Sequence, residues 1–97
     1  MVTLEQLRTQ YRDQILALAK QQGVEDIRVF GSVARGEQNE KSDVDFLIHV
    51  RKGTDLMDVG GLHWRLEEML ATKVHVVMDG SVSPYMKQSI FSEAVPL

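Results

Sequence analysis

Apolar residues recur with two different periods along the chain, and these periods divide it into helices and strands. Apolar residues have helical spacing in residues 4–18 and again in residues 56–70. In residues 43–50 and 73–78, by contrast, every second residue is apolar, as in a strand. A short apolar run at residues 27–30 predicts one more strand. The pattern therefore predicts the order α-β-short α-β-α-β-α, in which residues 33–41 form one helical turn and a polar loop.

Capping residues predict where the helices begin. Thr3 and Gln6 have the spacing of a capping box, so the first helix should start after Thr3 and extend for about 18 residues. Thr54 is the expected cap of the third helix, and Ser83 followed by Pro84 predicts the start of the last one. The third helix has an apolar stripe that should face the core, made of Leu56, Val59, Leu62, Leu66 and Leu70.

The predicted fold class is α+β, a two-layer arrangement of helices on a small sheet of about three strands. Short connections around the first two strands favour a mixed sheet over an all-parallel one. A length of 97 residues fits one domain over residues 1–97. A hydrophobic fraction of 43% and a charged fraction of 26% are typical of a globular protein and argue against disorder.

Charge and composition exclude several classes of function. A net charge of −3 argues against direct, non-specific binding of nucleic acid, which requires a basic surface. The absence of cysteine excludes disulfides and thiolate zinc sites. No apolar run approaches the roughly 20 residues of a membrane span, and the charged N-terminal segment does not resemble a secretory signal. We therefore expect a cytoplasmic protein without a membrane partner.

Two acidic residues at the start of the second strand are the strongest candidates for chemistry. Asp43 and Asp45 are two positions apart, so their side chains share one face with Cα atoms roughly 6–7 Å apart. Like charges at that distance repel by about 2–3 kcal/mol at an effective dielectric constant of about 20. A cation would relieve this repulsion, and paired carboxylates suit Mg²⁺, which in turn can hold nucleotide phosphates. Asp43 and Asp45 are therefore predicted metal ligands.

Gly31 and Ser32 follow the first strand and have properties that suit a phosphate-binding turn. A glycine at the end of a strand allows the backbone to approach a ligand closely. The next helical turn offers free N–H groups to phosphate oxygens, and the Ser32 hydroxyl adds a donor. Arg35, one turn further on, either neutralises charge there or is a solvated surface residue.

Each motif alone has an ordinary explanation, since Asp-X-Asp often caps a loop and Gly-Ser often forms a turn. Together, with ten residues between them, they resemble the signature of the DNA polymerase β-like nucleotidyltransferases. The resemblance is carried by two segments, Phe30-Gly31-Ser32-Val33-Ala34-Arg35-Gly36 and Ser42-Asp43-Val44-Asp45-Phe46. The small size points to the minimal nucleotidyltransferases (MNT), and the resemblance extends over nearly the whole chain.

The resemblance implies a nucleotidyltransferase fold and an antitoxin that forms a hetero-oligomer with a HEPN-domain ribonuclease toxin. Members of this group transfer AMP from ATP, with Mg²⁺, to a tyrosine hydroxyl of the toxin and so block RNA cleavage. By the same resemblance, Gly31 and Ser32 hold the triphosphate. Asp43 and Asp45 bind the metal and are the catalytic residues.

One position departs from the family pattern and keeps other functions open. Family members commonly carry a third carboxylate on the third strand, where this chain has His75 between two valines. Imidazole can accept a proton or bind a metal, but it brings no negative charge and suits Mg²⁺ poorly. His75 therefore either tunes the site or marks a catalytically weakened antitoxin, which would act by binding the toxin alone. Transfer to a small molecule is a further alternative, although related enzymes with such acceptors generally carry additional domains.

The sequence also contains one candidate interface residue. Trp64 shares a helical stripe with Met57 and Ala71 nearly opposite the core stripe, so it either anchors a partner or folds over the edge of the domain. Three methionines are expected to fill the core: Met69, Met78 and Met86.

Overall fold

The computed structural model describes all 97 residues and contains nine main helices and strands. Helix α1 (Leu4–Gln6) continues through a π-helical turn (Leu7–Tyr11) into α2 (Arg12–Gln21). The remaining elements, in chain order, are β1 (Val24–Phe30), α3 (Gly31–Arg35), β2 (Val44–Val50), α4 (Leu56–Leu70), β3 (Val74–Met78), α5 (Pro84–Glu93) and β4 (Val95–Pro96). The predicted order of elements is confirmed, and β4 is an addition to it.

The strands form one mixed sheet in the order β3-β2-β1-β4. β1 pairs antiparallel with β2 and with β4, whereas β2 and β3 are parallel. The predicted mixed sheet is therefore confirmed, but it has four strands rather than about three. The fourth was missed because it is only two residues long and includes a proline, which cannot donate a ladder hydrogen bond. Side chains from the first helix hold this segment: Arg8 donates to the carbonyl oxygen of Pro96 at 2.7 Å.

One face of the sheet carries the main core. Val44, Phe46 and Ile48 alternate along β2 and are buried, together with leucines from α4. The opposite face begins at Asp45 and includes Leu47, which is also fully buried. Helix α5 packs against β1 and α3. The two faces of the sheet therefore differ, and the polar side chains of β2 lie on the face opposite the main core.

The first capping prediction is confirmed and the third-helix prediction is wrong by one residue. The Thr3 hydroxyl accepts from the backbone N–H of Gln6, whose side chain accepts from the N–H of Thr3. In α4 the cap is Asp55, which accepts from the N–H of Met57 at 2.7 Å. Thr54 instead donates its hydroxyl to the carbonyl oxygen of Gly23, so the carboxylate that follows it takes the capping position.

Two apolar residues assigned to the core are exposed. Leu56 begins α4 and is 74% exposed, because the first turn of the helix lies outside the core. Met86, in the first turn of α5, is 57% exposed. Met69 and Met78 pack partly buried against the core, as predicted. None of the helices combines the length and apolarity that crossing a membrane requires.

Candidate active site

The turn between β1 and α3 supplies the backbone of the candidate site. Gly31 has φ +75°, a left-handed conformation that residues with a side chain rarely adopt. A Cβ atom at this position would collide with Oδ2 of Asp45. Gly31 is therefore required twice, by its backbone conformation and by the close approach of a carboxylate. Ser32 follows it in α3 and is half-buried.

The loop before β2 is shaped by its own side chains and delivers the two carboxylates to the sheet. The Ser42 hydroxyl accepts from the N–H of Asn39 at 2.8 Å, and the Asn39 side chain accepts from the N–H of Lys41 at 2.8 Å. These local bonds are typical of polar turns that replace regular structure. Asp43 is the last residue of this loop, and Asp45 is the second residue of β2.

Strand pairing places one residue from each of β1, β2 and β3 in a row at the end of the sheet. Asp45 is the register partner of Phe30 on β1 and of His75 on β3. Because directly paired residues point to the same face, Asp45 and His75 lie side by side, and Gly31 directly follows Phe30. The structure therefore brings together Gly31, Asp45 and His75, as the sequence predicts for the first two.

Asp43 joins this row through a hydrogen bond to His75. The distance between His75 Nε2 and Asp43 Oδ2 is 2.7 Å. About half of the His75 side chain is exposed, against 32% of the Asp43 side chain. The imidazole on β3, in the place where the family resemblance led us to expect a carboxylate, thus contacts one of the two predicted metal ligands.

The acidity of Asp45 is perturbed by its surroundings. Burial raises the pKa of Asp45 above its usual value. His75 opposes this rise in pKa, and the negative charge of Asp43 adds to it. A cation next to Asp45 would favour its ionised form and so oppose this rise in pKa.

Arg35 does not lie free beside the phosphate-binding turn. Its guanidinium donates to Glu37 at 3.2 Å and to Glu93 at 2.9 Å. These bonds raise the pKa of Arg35 above its usual value. Of the two predicted roles, the structure favours neutralisation of charge, because Arg35 lowers the pKa of Asp45. Its bond to Glu93 also ties α3 to the end of α5. Glu93 was not recognised from the sequence because only tertiary packing brings it to this turn.

The two carboxylates fit a Mg²⁺ ion that is also held by water and by the phosphates of a bound substrate. No group of three or more His, Asp or Glu side chains is arranged to hold a metal ion alone. Magnesium, however, is commonly bound through one or two carboxylates, with water and substrate phosphates completing its shell. Asp43 and Asp45, one of them destabilised as an anion by burial, have the chemistry that such a site requires.

Other features of the structure lie away from this row. His49 contacts Asp79 at 2.8 Å near the opposite end of β2. Trp64 is 64% exposed, so it does not fold over the edge of the domain. A cavity of about 540 Å³ lies between α2, the start of β1 and the C-terminal residues, and none of the predicted site residues lines it. The candidate site is thus an open surface at one end of the sheet.

Comparisons with known proteins show which family the chain is similar to. The nucleotidyltransferase domain family model matches residues 11–97. A relative from Methanocaldococcus jannaschii, for which protein adenylyltransferase activity has been proposed, is 40% identical over 81 residues, which cover 84% of this chain and 87% of the relative. The protein adenylyltransferase MntA of Thermococcus cleftensis is 34% identical over 95 residues, which cover 98% of this chain and 96% of MntA.

Solved structures share the fold. One that is described as a proposed minimal nucleotidyltransferase superposes with a TM-score of 0.87 at 38% identity, covering 99% of this chain and 97% of the other. The tri-AMPylated HEPN toxin of Shewanella oneidensis in complex with MNT antitoxin gives a TM-score of 0.65 at 20% identity, covering 87% of this chain and 66% of the other, and shows the fold alone. With the family model matched over most of its length, this chain belongs to the nucleotidyltransferase domain family, in the minimal form that the sequence pattern indicated.

Proposed function

We propose that this chain is an antitoxin that transfers AMP from ATP to a tyrosine hydroxyl of a HEPN-domain ribonuclease toxin and thereby neutralises it. The observation that carries the proposal is the row at the end of the sheet, where Asp45 lies against the Gly31 turn and Asp43 lies beside it. This arrangement offers carboxylates for a cation and a backbone turn for phosphates within one surface.

The residues of the site would have two roles, phosphate binding and metal binding. Gly31 and Ser32 would bind phosphate oxygens through backbone N–H groups and the serine hydroxyl. Asp43 and Asp45 would hold Mg²⁺, which supplies charge neutralisation and polarises the phosphoryl group when bound. In the overall reaction the tyrosine oxygen forms a bond to the α-phosphorus, the bond from that phosphorus to the bridging oxygen breaks, and pyrophosphate and one proton are released.

A folded protein is the acceptor that best suits an open site. The carboxylates of the row are only partly buried, and the 540 Å³ cavity is lined by other residues, so the site itself provides no enclosure for a small acceptor. A protein acceptor brings its own binding surface. The activity of the MntA relative and the HEPN complex of the structural neighbour support the same choice.

A second candidate is an antitoxin that neutralises its toxin by binding alone. The observation that favours it is His75, which stands where a further acidic residue would complete a metal site. Both candidates require the toxin to bind, but only the first requires ATP. Transfer of label therefore separates them.

The test is incubation of the chain with a HEPN-domain ribonuclease, Mg²⁺ and ATP labelled at the α-phosphate. We expect label on a tyrosine of the ribonuclease and loss of RNA cleavage. The double variant Asp43→Asn/Asp45→Asn should abolish labelling while retaining the fold. Binding of the ribonuclease without labelling would support the second candidate instead.

A matched control separates the site from a change in total charge. The double variant Glu5→Gln/Asp13→Asn also removes two negative charges, from exposed positions on the first helix. It should label the toxin as the parent chain does. If the Asp43/Asp45 variant also labels normally, the assignment of the metal site is wrong.

A further inference from the structure

The two carboxylates of the site are held in place by different means. Asp45 belongs to β2, pairs with residues on both neighbouring strands and lies against Gly31. Asp43 precedes β2 and has no partner in the strand ladder, whose first pair on this side joins Val44 to Val74. Strand pairing therefore fixes the direction of the Asp45 side chain but leaves that of Asp43 to other contacts.

The contact that fixes Asp43 comes from His75. The 2.7 Å separation between Nε2 and Oδ2 is a short, charge-assisted hydrogen bond, in which the imidazole donates because an ionised carboxylate can only accept. Both the neutral tautomer with a proton on Nε2 and the imidazolium ion can donate this bond. The contact therefore does not depend on the charge of His75.

We propose that His75 is a positioning residue for the cation site: its imidazole occupies Oδ2 of Asp43 and so leaves Oδ1 for the divalent cation. The proposal rests on the proposed function, which assigns Asp43 to the metal. The Nε2 atom of His75 is directed at the carboxylate and is therefore not available to the ion. It acts through Asp43, as the hydrogen-bonded partners of metal ligands do in general.

The physical effect is a lower cost of binding the cation. A free aspartate side chain at the end of a loop must lose rotamer freedom when an ion binds, whereas the hydrogen bond to His75 orders Asp43 in advance. Loss of such a partner typically reduces metal affinity by about 10–100-fold. Saturating metal should then restore transfer, because the chemistry of the bound state is unchanged.

Three single variants test this proposal. His75→Val removes the donor and keeps a residue that favours strands. His75→Gln keeps an N–H donor at nearly the position of Nε2, but a glutamine nitrogen cannot bind a metal ion. His49→Val is the matched control: it makes the same change on the same face of the sheet, at a histidine that contacts Asp79 instead.

The measurement is the affinity of the nucleotide-free chain for Mn²⁺, followed by the electron paramagnetic resonance signal of the free ion. We expect affinity to fall about 10–100-fold in His75→Val, to stay within a few-fold of the parent in His75→Gln, and not to change in His49→Val. In the transfer assay, the Mn²⁺ concentration at half-maximal rate should rise in His75→Val, while the rate at saturating Mn²⁺ stays within a few-fold. Parental affinity in His75→Val would overturn the proposal.

Two further outcomes are decisive. Equal loss of affinity in His75→Gln and His75→Val would show that the imidazole is itself a ligand and would also overturn the proposal. Asp43→Asn/Asp45→Asn reports on the proposed function separately. If that variant loses Mn²⁺ binding and transfer while His75→Val matches the parent, only the role of His75 is wrong. If it keeps both, the metal site itself is wrong.

Discussion

Substitution of Gly31 by alanine should separate the stability of the fold from the geometry of the site. Two costs arise from the added methyl group. The first is the left-handed backbone at φ +75°, which costs a residue with a Cβ atom roughly 1–2 kcal/mol. The second is the collision of that Cβ with Oδ2 of Asp45, while the Asp45 Cγ atom would lie only 3.2 Å away.

The second cost falls on the site rather than on the fold. Oδ2 is the end of a side chain that is only half-buried, so Asp45 can rotate away instead of forcing the backbone apart. A displaced carboxylate no longer lies beside the turn that is proposed to hold the triphosphate. Because misplacement of a catalytic group by about 1 Å can reduce the rate about 100-fold, we expect Gly31→Ala to lose at least that much transfer activity.

Gly53→Ala is the control for the backbone cost. Gly53 also has a left-handed conformation, at φ +89°, but a Cβ atom there would meet nothing within 4 Å. Each variant should lower the melting temperature by roughly 4–8 °C per kcal/mol lost, measured by circular dichroism. Only Gly31→Ala should lose labelling of the toxin by ATP carrying label at the α-phosphate. Similar transfer rates in the two variants would refute the argument that Gly31 makes room for Asp45.

Three further predictions concern stability. Because burial raises the pKa of Asp45, the folded chain holds this proton more tightly than the unfolded chain, and ionisation costs stability as the pH rises above 3.8. In urea unfolding, Asp45→Asn should therefore be more stable than the parent near neutral pH but not below pH 3.8. A difference in the free energy of unfolding that is the same at both pH values would contradict this. Phe46→Ala empties a fully buried position and should lower the free energy of unfolding by about 3–5 kcal/mol. This is a large share of the roughly 5–15 kcal/mol that stabilises a typical domain, and a fall in the urea midpoint would measure it. Thr3→Ala removes the capping hydroxyl and should cost about 1 kcal/mol; an unchanged melting temperature would contradict that role.

The parts of the structure that depend on local pattern could be predicted from the sequence. The alternation along β2 placed Asp45 and Phe46 on opposite faces, and the capping box at Thr3 defined the start of the first helix. Each depends on residues within a few positions of one another. The cap of α4 could not be predicted in this way, because Thr54 and Asp55 are both good capping residues and Thr54 is instead engaged by Gly23, which is distant in the sequence.

The contacts that complete the site could not be predicted in this way. Arg35 and Glu93 are 58 positions apart, and Asp43 and His75 are 32 apart. Only the packing of α5 and the register of β3 bring these side chains together. The resemblance to the family identified His75 as unusual, but its hydrogen bond to Asp43 depends on strand pairing that composition and periodicity do not specify.

The separation of the two motifs along the chain follows from the antiparallel pairing of β1 and β2. β1 ends at Phe30, the chain turns through α3 and a polar loop, and β2 returns so that Asp45 faces Phe30 and lies against Gly31. A shift of the pairing by one residue would place Asp45 in the hydrophobic core and Phe46 on the outer face. That exchange is prevented by the burial of Phe46, which is fully enclosed. The hydrophobic contacts that stabilise the sheet therefore also fix the direction of the carboxylate, and the candidate site depends on the core directly beneath it.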